Sequence, residues 1–394
     1  MVCVRTFADA GNDTAQVLGR IERQIGLADA KAHCVFSFFG CRHDGGTIRT
    51  FLANRFPKAA VLGGTSHGGL ITDAGLWGDD AIGILTIEDA EGQYGAAIAP
   101  LTNDPAAAAQ TALEAALRQA GCPGELPALI WVYVAPGREE TAIAGLRRVV
   151  GDRCPVTGGS AAAEAVPGRW CEIATAGTET DGIAVAALFP SGDVETVFQG
   201  GFEATERSGI VTRIRGREIF EIDGRRAADV YNEWTDGLIG AKAKTGGLIS
   251  PETAMSPLGI EIGEMDGVPN YRLIHPKLAT AEGSIVAYAL ADEDVRLHLM
   301  RGDKIRLTER AGLVAEQAVA NLRGGESALA GAMMHFCAGC QSAVQDSLRA
   351  VAADIAKKLN HKPFLLSFTY GEVGCLSERN IFGNMMISAA VFGG

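Results

Sequence analysis

The chain has 394 residues, of which 47% are hydrophobic and 21% charged, a composition typical of a globular protein and not of a disordered or fibrous one. Its formal net charge of -12, with no cluster of Lys and Arg to reverse it, argues against nucleic acid and membrane surfaces as partners. The nine cysteines are scattered and no apolar run reaches the length of a signal peptide or a spanning helix, so the sequence predicts a cytoplasmic protein.

A pattern of buried strands and amphipathic helices occurs three times along the chain. The first copy consists of the strand HCVFSFFG, the helix TIRTFLANRF, the strand KAAVLGGTS with its glycine turn, and the strand DDAIGILTI. The second copy consists of ALIWVYVAPG, REETAIAGLRRVV, CPVTGGSAAAE and DGIAVAALFP, and the third of AMMHFCAGC, QSAVQDSLRAVAADIAKKL, PFLLSFTYGEVG and NMMISAAVF. The sequence therefore predicts a mixed α/β fold built from repeated β-α-β-β units.

In each copy the crossover helix makes the first two strands parallel neighbours, which indicates sheets covered by helices. Glycine turns at the carboxyl ends of such strands are common ligand sites, so each of the three turns is a candidate. Between the second and third copies, residues 195–310 contain short strand-like segments joined by Gly and Asp turns. This change predicts two domains, 1–199 with the first two units and 200–394 with the third.

The order of short motifs along nearly the whole chain resembles that of the FIST-domain family. The motifs that resemble the family are F-P-x-A-x-x-x-G-G-T-S at Phe56–Ser66, P-V-x-G-G-S-A at Pro155–Ala161, E-I-D-G-x-x-A at Glu221–Ala227, S-P-L-G at Ser256–Gly259, a cysteine turn near Cys337, and G-E-V-G at Gly371–Gly374. Residues 1–199 then resemble the FIST N-terminal domain and residues 200–394 the ligand-binding FIST C-terminal domain. The resemblance implies a small-ligand sensor in bacterial signalling.

One branch of the family comprises stand-alone proteins that bind haem b, sense nitric oxide and regulate a separate histidine kinase or cyclic-di-GMP enzyme. The length of this chain leaves no room for a fused output domain, so this branch is the function we expect, with a homodimer as one arrangement and no enzymatic activity. The first alternative is a FIST sensor of amino acids or another small metabolite without haem. The second alternative is an enzyme, either a serine hydrolase or a thiol-redox protein.

Two sequence motifs carry the enzymatic alternative. The segment Gly64-Thr65-Ser66-His67-Gly68 fits the nucleophile-elbow pattern G-x-S-x-G, but the continuation contains glycines and acids instead of the helix that an elbow requires. The segment MHFCAGC contains Cys337 and Cys340 in C-x-x-C spacing between a strand and a helix, where a helix dipole lowers a thiol pKa. The turn is predicted to have a structural or ligand-lining role, with redox chemistry and, with His335, a metal site as alternatives.

Histidine is the commonest axial ligand for haem iron. His275 ends the apolar strand YRLI and precedes Pro276, which makes it the predicted metal ligand, with His335 as the second candidate. Where the family more often has Arg, this chain has His275. Arg272 is positioned along the chain to pair with a haem propionate.

Three further side chains are predicted to line the site. Tyr231 and Trp234 lie three residues apart on a predicted helix and form one wall of a pocket or pack into the core. Glu372 follows the strand LLSFTY, where its carboxylate binds an amino group of a ligand or accepts from backbone amides. In the alternative without haem, Glu372 and the glycine turns hold the ligand.

Overall fold

The computed structural model describes residues 1–28, 30–164, 168–265 and 267–394, and it confirms the mixed α/β class. All three predicted copies are present, and each is longer than predicted. An outer strand and a helix precede each copy, and each glycine turn leads into a short β-hairpin. The first unit consists of β1 (Cys3–Ala10), α1 (Thr14–Leu27), β2 (Cys34–Phe39), α2 (Gly45–Arg55), β3 (Ala60–Thr65), β4 (Leu70–Thr72), β5 (Gly75–Trp77) and β6 (Ala81–Glu88).

The second unit repeats the same order of elements. It consists of β7 (Gln93–Pro100), α3 (Pro105–Gln119), β8 (Leu129–Val134), α4 (Glu139–Val150), β9 (Val156–Ser160), β10 (Glu172–Ala174), β11 (Gly177–Glu179) and β12 (Gly182–Phe189).

The third unit begins with β13 (Val194–Gly200) and is then interrupted by residues 202–302, which we call the insertion. The insertion consists of β14 (Phe202–Arg215), β15 (Glu218–Ile222), β16 (Arg225–Arg226), α5 (Ala227–Trp234), α6 (Lys242–Thr245), β17 (Gly247–Leu248), α7 (Ser250–Thr253), β18 (Leu258–Met265), β19 (Val268–Ile274), β20 (Pro276–Ala279), β21 (Ile285–Ala287) and β22 (Arg296–Gly302). The third unit resumes with α8 (Lys304–Asn321), β23 (Leu329–Cys337), α9 (Ala338–Ala343), α10 (Leu348–Lys358), β24 (Phe364–Thr369), β25 (Glu372–Leu376), β26 (Arg379–Gly383) and β27 (Met386–Gly393).

Each unit forms one sheet, and its hairpin joins the sheet of another unit. The strand orders are β1-β6-β2-β3-β10-β11, β7-β12-β8-β9-β25-β26 and β13-β27-β23-β24-β4-β5. The pairs β2–β3, β8–β9 and β23–β24 are parallel, as the crossover helices predict. The exchange of hairpins is cyclic, so the three units form a closed ring and the carboxyl ends of β3, β9 and β24 lie beside strands of their neighbours.

The inner faces of the three sheets enclose a common core. Phe38 of the first unit, Trp131 and Tyr133 of the second, and His335 of the third lie together, with Trp131 and Tyr133 stacked at 5.4 Å between ring centroids. The outer faces are covered by the helices of each unit, which is why β2 and β8 are buried along their whole length. The chain therefore holds its units together through packed aromatic side chains as well as exchanged strands.

Two glycines allow the parallel strands to approach closely at the predicted turns. Gly63 and Gly158 have φ of 150° and 141°, and a Cβ on either would lie 1.8 Å from the carbonyl oxygen of Ser37 or Val132 on the neighbouring strand. Any other residue would push the strands apart. The repeated Gly-Gly pair is thus a requirement of the sheet.

The insertion forms its own nine-stranded sheet, with the path β17-β20-β21-β15-β14-β22-β18-β19 and β16 on β15. The predicted boundary after residue 199 falls at the end of β13, which pairs with β27 at the edge of the third sheet. Hairpins from both sides of this boundary cross it, since β4 pairs with β24 and β25 pairs with β9. The domain boundary at residue 199 therefore stays a prediction.

Candidate ligand site

The third strand of each unit (β3, β9 and β24) ends beside the other two units. The Ser160 N–H donates to the Gly371 carbonyl at 2.9 Å, and the Tyr370 N–H donates to the Ser160 carbonyl at 3.3 Å. From the first unit, the His67 N–H donates to the Phe368 carbonyl at 3.0 Å. The three predicted turns therefore meet around Tyr370 and Gly371, a dipeptide that we call the tyrosine turn.

The tyrosine turn is held closely against the β26 strand and the residue that follows it. A Cβ on Gly371 would lie 2.3 Å from Cζ of Phe382 and 2.9 Å from Nδ2 of Asn384. The Tyr370 hydroxyl donates to the Ala163 carbonyl, and its ring lies 5.7 Å from that of His67. Glycine is needed at position 371 because a side chain there has no space.

A buried carboxylate adjoins this turn. Glu139 is the first residue of α4 and its side chain is only 2% exposed. It accepts hydrogen bonds from the Ser160 hydroxyl at 2.6 Å and the Gly137 N–H at 3.0 Å, and it pairs with the Arg217 guanidinium at 2.5 Å. Arg217 comes from the insertion, so this ion pair joins the insertion to the second unit.

A second arginine of the insertion lies near the same acidic residues. Arg217 also pairs with Glu140 at 2.6 Å, and the Leu290 N–H donates to the other Glu140 oxygen at 2.7 Å. Arg272 has no ion pair within 4.0 Å among the described residues, although the charges of Glu140 and Asp292 act on it. Burial lowers the pKa of the Arg272 guanidinium, and those two carboxylates partly oppose the shift. Arg272 is thus a half-buried cation without a direct counter-ion in the described part of the chain.

The ring of His275, the predicted haem ligand, is hydrogen-bonded to other residues. Its Nε2 lies 3.1 Å from the Ser250 carbonyl and 3.1 Å from the Thr253 hydroxyl. Because a carbonyl only accepts, Nε2 carries the proton, and Nδ1 lies 3.5 Å from where a Cβ on Gly339 would be. Burial lowers the pKa of His275 to about 4, so the ring is neutral at pH 7. These contacts leave no room for a haem between the ring and the Cys-Ala-Gly-Cys turn.

The second candidate, His335, lies in the core between the three sheets. Its Nε2 accepts from the Trp131 indole N–H at 3.0 Å, so Nδ1 carries the proton and donates to the Ser367 hydroxyl at 2.8 Å. Burial lowers its pKa to about 3. Both ring nitrogens are hydrogen-bonded, and the residues of this structure do not fit a haem here either. Among the residues that the structure describes, no group of three or more His, Cys, Asp or Glu side chains is arranged to hold a metal ion.

Tyr231 and Trp234 lie together on α5, away from the tyrosine turn. The Tyr231 hydroxyl donates to the Ser256 carbonyl at 2.6 Å, and its ring is fully buried in the core of the insertion. Trp234 is partly buried against the same core, and its carbonyl accepts from Arg207. Their contacts match the core-packing interpretation of their helical spacing.

Cys337 and Glu372 lie next to one another beneath the tyrosine turn. Glu372 is completely buried and accepts from the Thr369 hydroxyl at 2.7 Å and the Met386 N–H at 3.0 Å. Burial and the neighbouring Cys337 raise the Glu372 pKa well above its ordinary value. Four predicted site residues lie against the same segment, residues 383–386: Arg272, His275, Cys337 and Glu372.

Ser66 shows none of the contacts that an activated nucleophile needs. It is completely buried, and its hydroxyl donates to the Gly69 carbonyl at 2.5 Å and accepts from the Phe368 N–H at 2.8 Å. The neighbouring His67 ring is bonded to Gln341 at 2.8 Å. A nucleophile requires a base within hydrogen-bonding distance of its hydroxyl, and Ser66 has a carbonyl there instead. The hydrolase alternative stays untested.

Two surface cavities among the described residues lie elsewhere. One of about 820 Å³ lies between α1, α2 and the β10–β11 hairpin, and one of about 440 Å³ lies along residues 203–207 and Arg301.

The residues that sequence analysis missed are Glu139, Glu140 and Arg217. The two acids at the start of α4 are a signal in the sequence, because they follow the carboxyl end of the parallel strand β8 after a short loop. Arg217 was not, since it lies 78 residues from Glu139 along the chain.

Comparisons with known proteins show that two family models match most of the chain. Residues 33–225 match the family model for the FIST N domain, and residues 227–375 match the one for the FIST C domain. No curated protein matches the chain.

Two solved structures are similar over much of the chain. One is a cyanuric acid hydrolase from A. caulinodans, 9% identical, with a TM-score of 0.38 and 99% of each chain covered. The other is PurLQS from Thermotoga maritima, 9% identical, with a TM-score of 0.21, covering 83% of this chain and 74% of that one. At such scores neither likeness bears on activity. No helix among the described residues is long and apolar enough to cross a membrane.

Proposed function

Because the chain belongs to the FIST family, we propose that it is a small-ligand sensor in signal transduction whose ligand is a zwitterionic metabolite of the amino acid class, bound beside the tyrosine turn. The single observation that carries the choice of ligand is Arg272. Its side chain is half-buried and lacks a direct ion pair among the described residues. A ligand carboxylate supplies the missing counter-ion in a two-pronged, charge-assisted hydrogen bond.

The acidic neighbours of Arg272 define the other end of the ligand. Glu140 is already used by Arg217 and by the Leu290 N–H, whereas Asp292 is exposed and makes no ion pair within 4.0 Å among the described side chains. An ammonium group on the ligand therefore pairs with Asp292. A molecule with a carboxylate and an ammonium group pairs with both Arg272 and Asp292. A simple anion would instead place its negative charge beside the Asp292 carboxylate.

The position of these residues connects binding to the rest of the fold. Arg272 lies on β19, with its Cγ 3.6 Å from where a Cβ on Gly383 would be. β19 is also hydrogen-bonded to the third unit, where the Asn384 N–H donates to the Leu273 carbonyl at 3.0 Å. A ligand on Arg272 thus contacts the junction between the insertion and the ring. Signalling then passes to a separate protein, for which a histidine kinase or cyclic-di-GMP enzyme remains the expected class.

The test is a calorimetric titration of the purified protein with the twenty protein amino acids, alongside the amine and the carboxylic acid analogues of any that bind. Arg272→Gln is expected to weaken binding about 10- to 100-fold, because a hydrogen bond to a charged group contributes about 1.5–3 kcal/mol. Asp292→Asn is expected to weaken binding of the amino acid and leave the affinity for its carboxylic acid analogue unchanged. Arg379→Gln, which removes an exposed arginine, is the matched control.

A stability measurement separates lost binding from lost folding. Since burial disfavours the charge of Arg272, the Arg272→Gln protein without ligand should melt at the same temperature as the parent or higher. Binding that is equal in the Arg272→Gln and Arg379→Gln proteins would overturn the site.

The haem hypothesis is tested by titrating the same protein with haemin. If a saturable one-to-one Soret band appears, shifts with nitric oxide and disappears in His275→Ala, the haem-dependent sensor replaces the amino acid sensor. If no such band appears, the haem-dependent sensor is rejected.

A further inference from the structure

The helices that cover the second and third units are packed directly against each other. In the second unit, a Cβ on Gly145 of α4 would lie 2.1 Å from the Ala106 carbonyl oxygen of α3, so the two backbones are in contact. In the third unit, a Cβ on Gly312 of α8 would overlap the Asp354 carboxylate of α10. Glycine allows the close approach of the helices in both units.

The helices of the first unit are further apart. Thr50 of α2 precedes Gly63 by the same number of residues as Gly145 precedes Gly158, so Thr50 lies at the position that corresponds to Gly145. Its side chain keeps α1 from approaching α2 as closely as α3 approaches α4. On α1 itself, a Cβ on Gly19 would meet no heavy atom within 4 Å. The cavity of about 820 Å³ lies between these two helices, and we call it the α1–α2 cavity.

Two side-chain contacts join α1 to α2, one on either side of Gly19 along the helix. Toward the amino ends, the Thr14 hydroxyl lies 3.1 Å from Nδ1 of His43. Toward the carboxyl ends, Glu22 pairs with Arg55 at 3.3 Å. These contacts fix the spacing of the helices, and the volume between them lies in the range of about 300–1,000 Å³ that is typical of small-ligand pockets.

One row of side chains on α2 borders the cavity with polar groups on both sides of an aromatic ring. Thr47, Phe51 and Asn54 are spaced by four and three residues, so they lie along one face of the helix with Phe51 in the middle. Phe51 is half-buried. The Asn54 amide makes no side-chain hydrogen bond among the described residues, so its C=O and NH2 groups are both available. The Thr47 hydroxyl contacts the Asp44 carboxylate at 3.4 Å and keeps its capacity to accept.

The charges of the lining narrow the class of ligand. Glu22 is paired with Arg55, and the remaining charged residues, Asp44 and Arg49, carry opposite charges. The Arg49 guanidinium already donates to the Thr175 carbonyl at 3.2 Å. The cavity therefore has no excess charge with which to bind an ion. An amide that both donates and accepts, beside an aromatic ring, suits a neutral ring with neighbouring hydroxyl groups on its edge and C–H groups on its face.

We propose that the α1–α2 cavity binds a neutral polyhydroxylated ring, the chemical class of sugars and cyclitols. The C–H face of the ligand packs on Phe51. Two neighbouring hydroxyl groups of the ligand bond to the Asn54 amide, one donating to its C=O and one accepting from its NH2. A hydroxyl on the other side donates to the Thr47 oxygen. This site is separate from Arg272, so it adds a second ligand to the proposed amino acid sensor.

The experiment is a saturation-transfer NMR titration of the full chain with D-glucose, D-ribose and myo-inositol in separate samples. At least one probe is expected to bind saturably with a dissociation constant of about 1 mM, because such rings have only roughly ten to twelve non-hydrogen atoms. The three probes distinguish a six-membered sugar, a pentose and a cyclitol as the preferred ring.

Two leucine substitutions on α1 locate the binding. Gly19→Leu places a side chain in the cavity and is expected to weaken binding at least tenfold. Gly26→Leu is the matched control, because Gly26 lies on the same helix outside the cavity, where a Cβ would also meet nothing within 4 Å. Both proteins should melt at the parent temperature or higher, since each replaces a helical glycine in open space. Asn54→Ala, at an exposed position, is expected to weaken binding about tenfold without changing the melting temperature.

The proposal is overturned if none of the three probes binds the parent saturably, or if Gly19→Leu binds as tightly as Gly26→Leu. Equal binding by the parent and Asn54→Ala would overturn the role of the amide. The amino acid titration is expected to be unchanged in Gly19→Leu, so failure of this site is distinguished from failure of the Arg272 site.

Discussion

Replacing His335 with Phe tests the buried hydrogen-bond chain between the three sheets. The substitution leaves the Trp131 indole N–H without an acceptor and removes one partner of the Ser367 hydroxyl. An unsatisfied buried donor costs about 1–3 kcal/mol, and the better burial of Phe offsets part of the loss. The free energy of unfolding at pH 7 is therefore expected to fall by about 2 kcal/mol.

The same substitution should make the protein less sensitive to acid. In the unfolded chain His335 has a pKa near 6.5, whereas in the folded protein burial lowers it to about 3. Between these values the unfolded state binds the proton and the folded state does not, so stability is lost as the pH falls, by about 1.4 kcal/mol per pH unit. The His335→Phe protein lacks this loss, and its deficit at pH 7 should disappear by about pH 5.

The assay is urea unfolding followed by circular dichroism at several values between pH 7 and pH 4.5. The difference between the parent and the variant isolates His335, since the carboxylates and His275 titrate in both proteins. If the difference stays constant across this range, His335 is not buried as a neutral ring and the reasoning is refuted. If the free energy of unfolding falls with urea concentration at the same slope in both proteins at each pH, the same amount of surface is exposed on unfolding.

Two further substitutions test the packing of the candidate site. Gly371→Ala is expected to lower the free energy of unfolding by about 1–3 kcal/mol because the new Cβ would lie 2.3 Å from Phe382, whereas Gly19→Ala, with nothing within 4 Å, should be neutral or stabilising in the same urea titration. Arg217→Met is expected to lower it by about 3 kcal/mol at pH 7, since Glu139 is left buried without its cation. A loss for Arg217→Met that does not shrink when Glu139→Gln is added would contradict the ion-pair explanation.

Local sequence patterns predict part of the candidate site. Glu372 and Cys337 were named because they flank a strand end and a helix start, and both positions follow from local patterns of the chain. His275 was named for the same local reason, yet its ring is bonded to Ser250 and Thr253 of α7, 22 to 25 residues earlier. A contact between segments so far apart has no trace in a single sequence. The haem prediction stays untested; both ring nitrogens of His335 are hydrogen-bonded, and Nδ1 of His275 faces Gly339.

The sequence by itself determined the three α/β units, because the alternation of apolar runs and amphipathic helices depends only on neighbouring residues. It also determined the Gly63 and Gly158 turns, since a strand approaching another strand's carbonyl requires glycine there. Only the tertiary structure decided that each hairpin pairs with another unit's sheet, and that Arg217 of the insertion meets Glu139 of the second unit. Strand exchange and buried ion pairs join residues that are distant along the chain, and their stability depends on three-dimensional burial that periodicity does not encode.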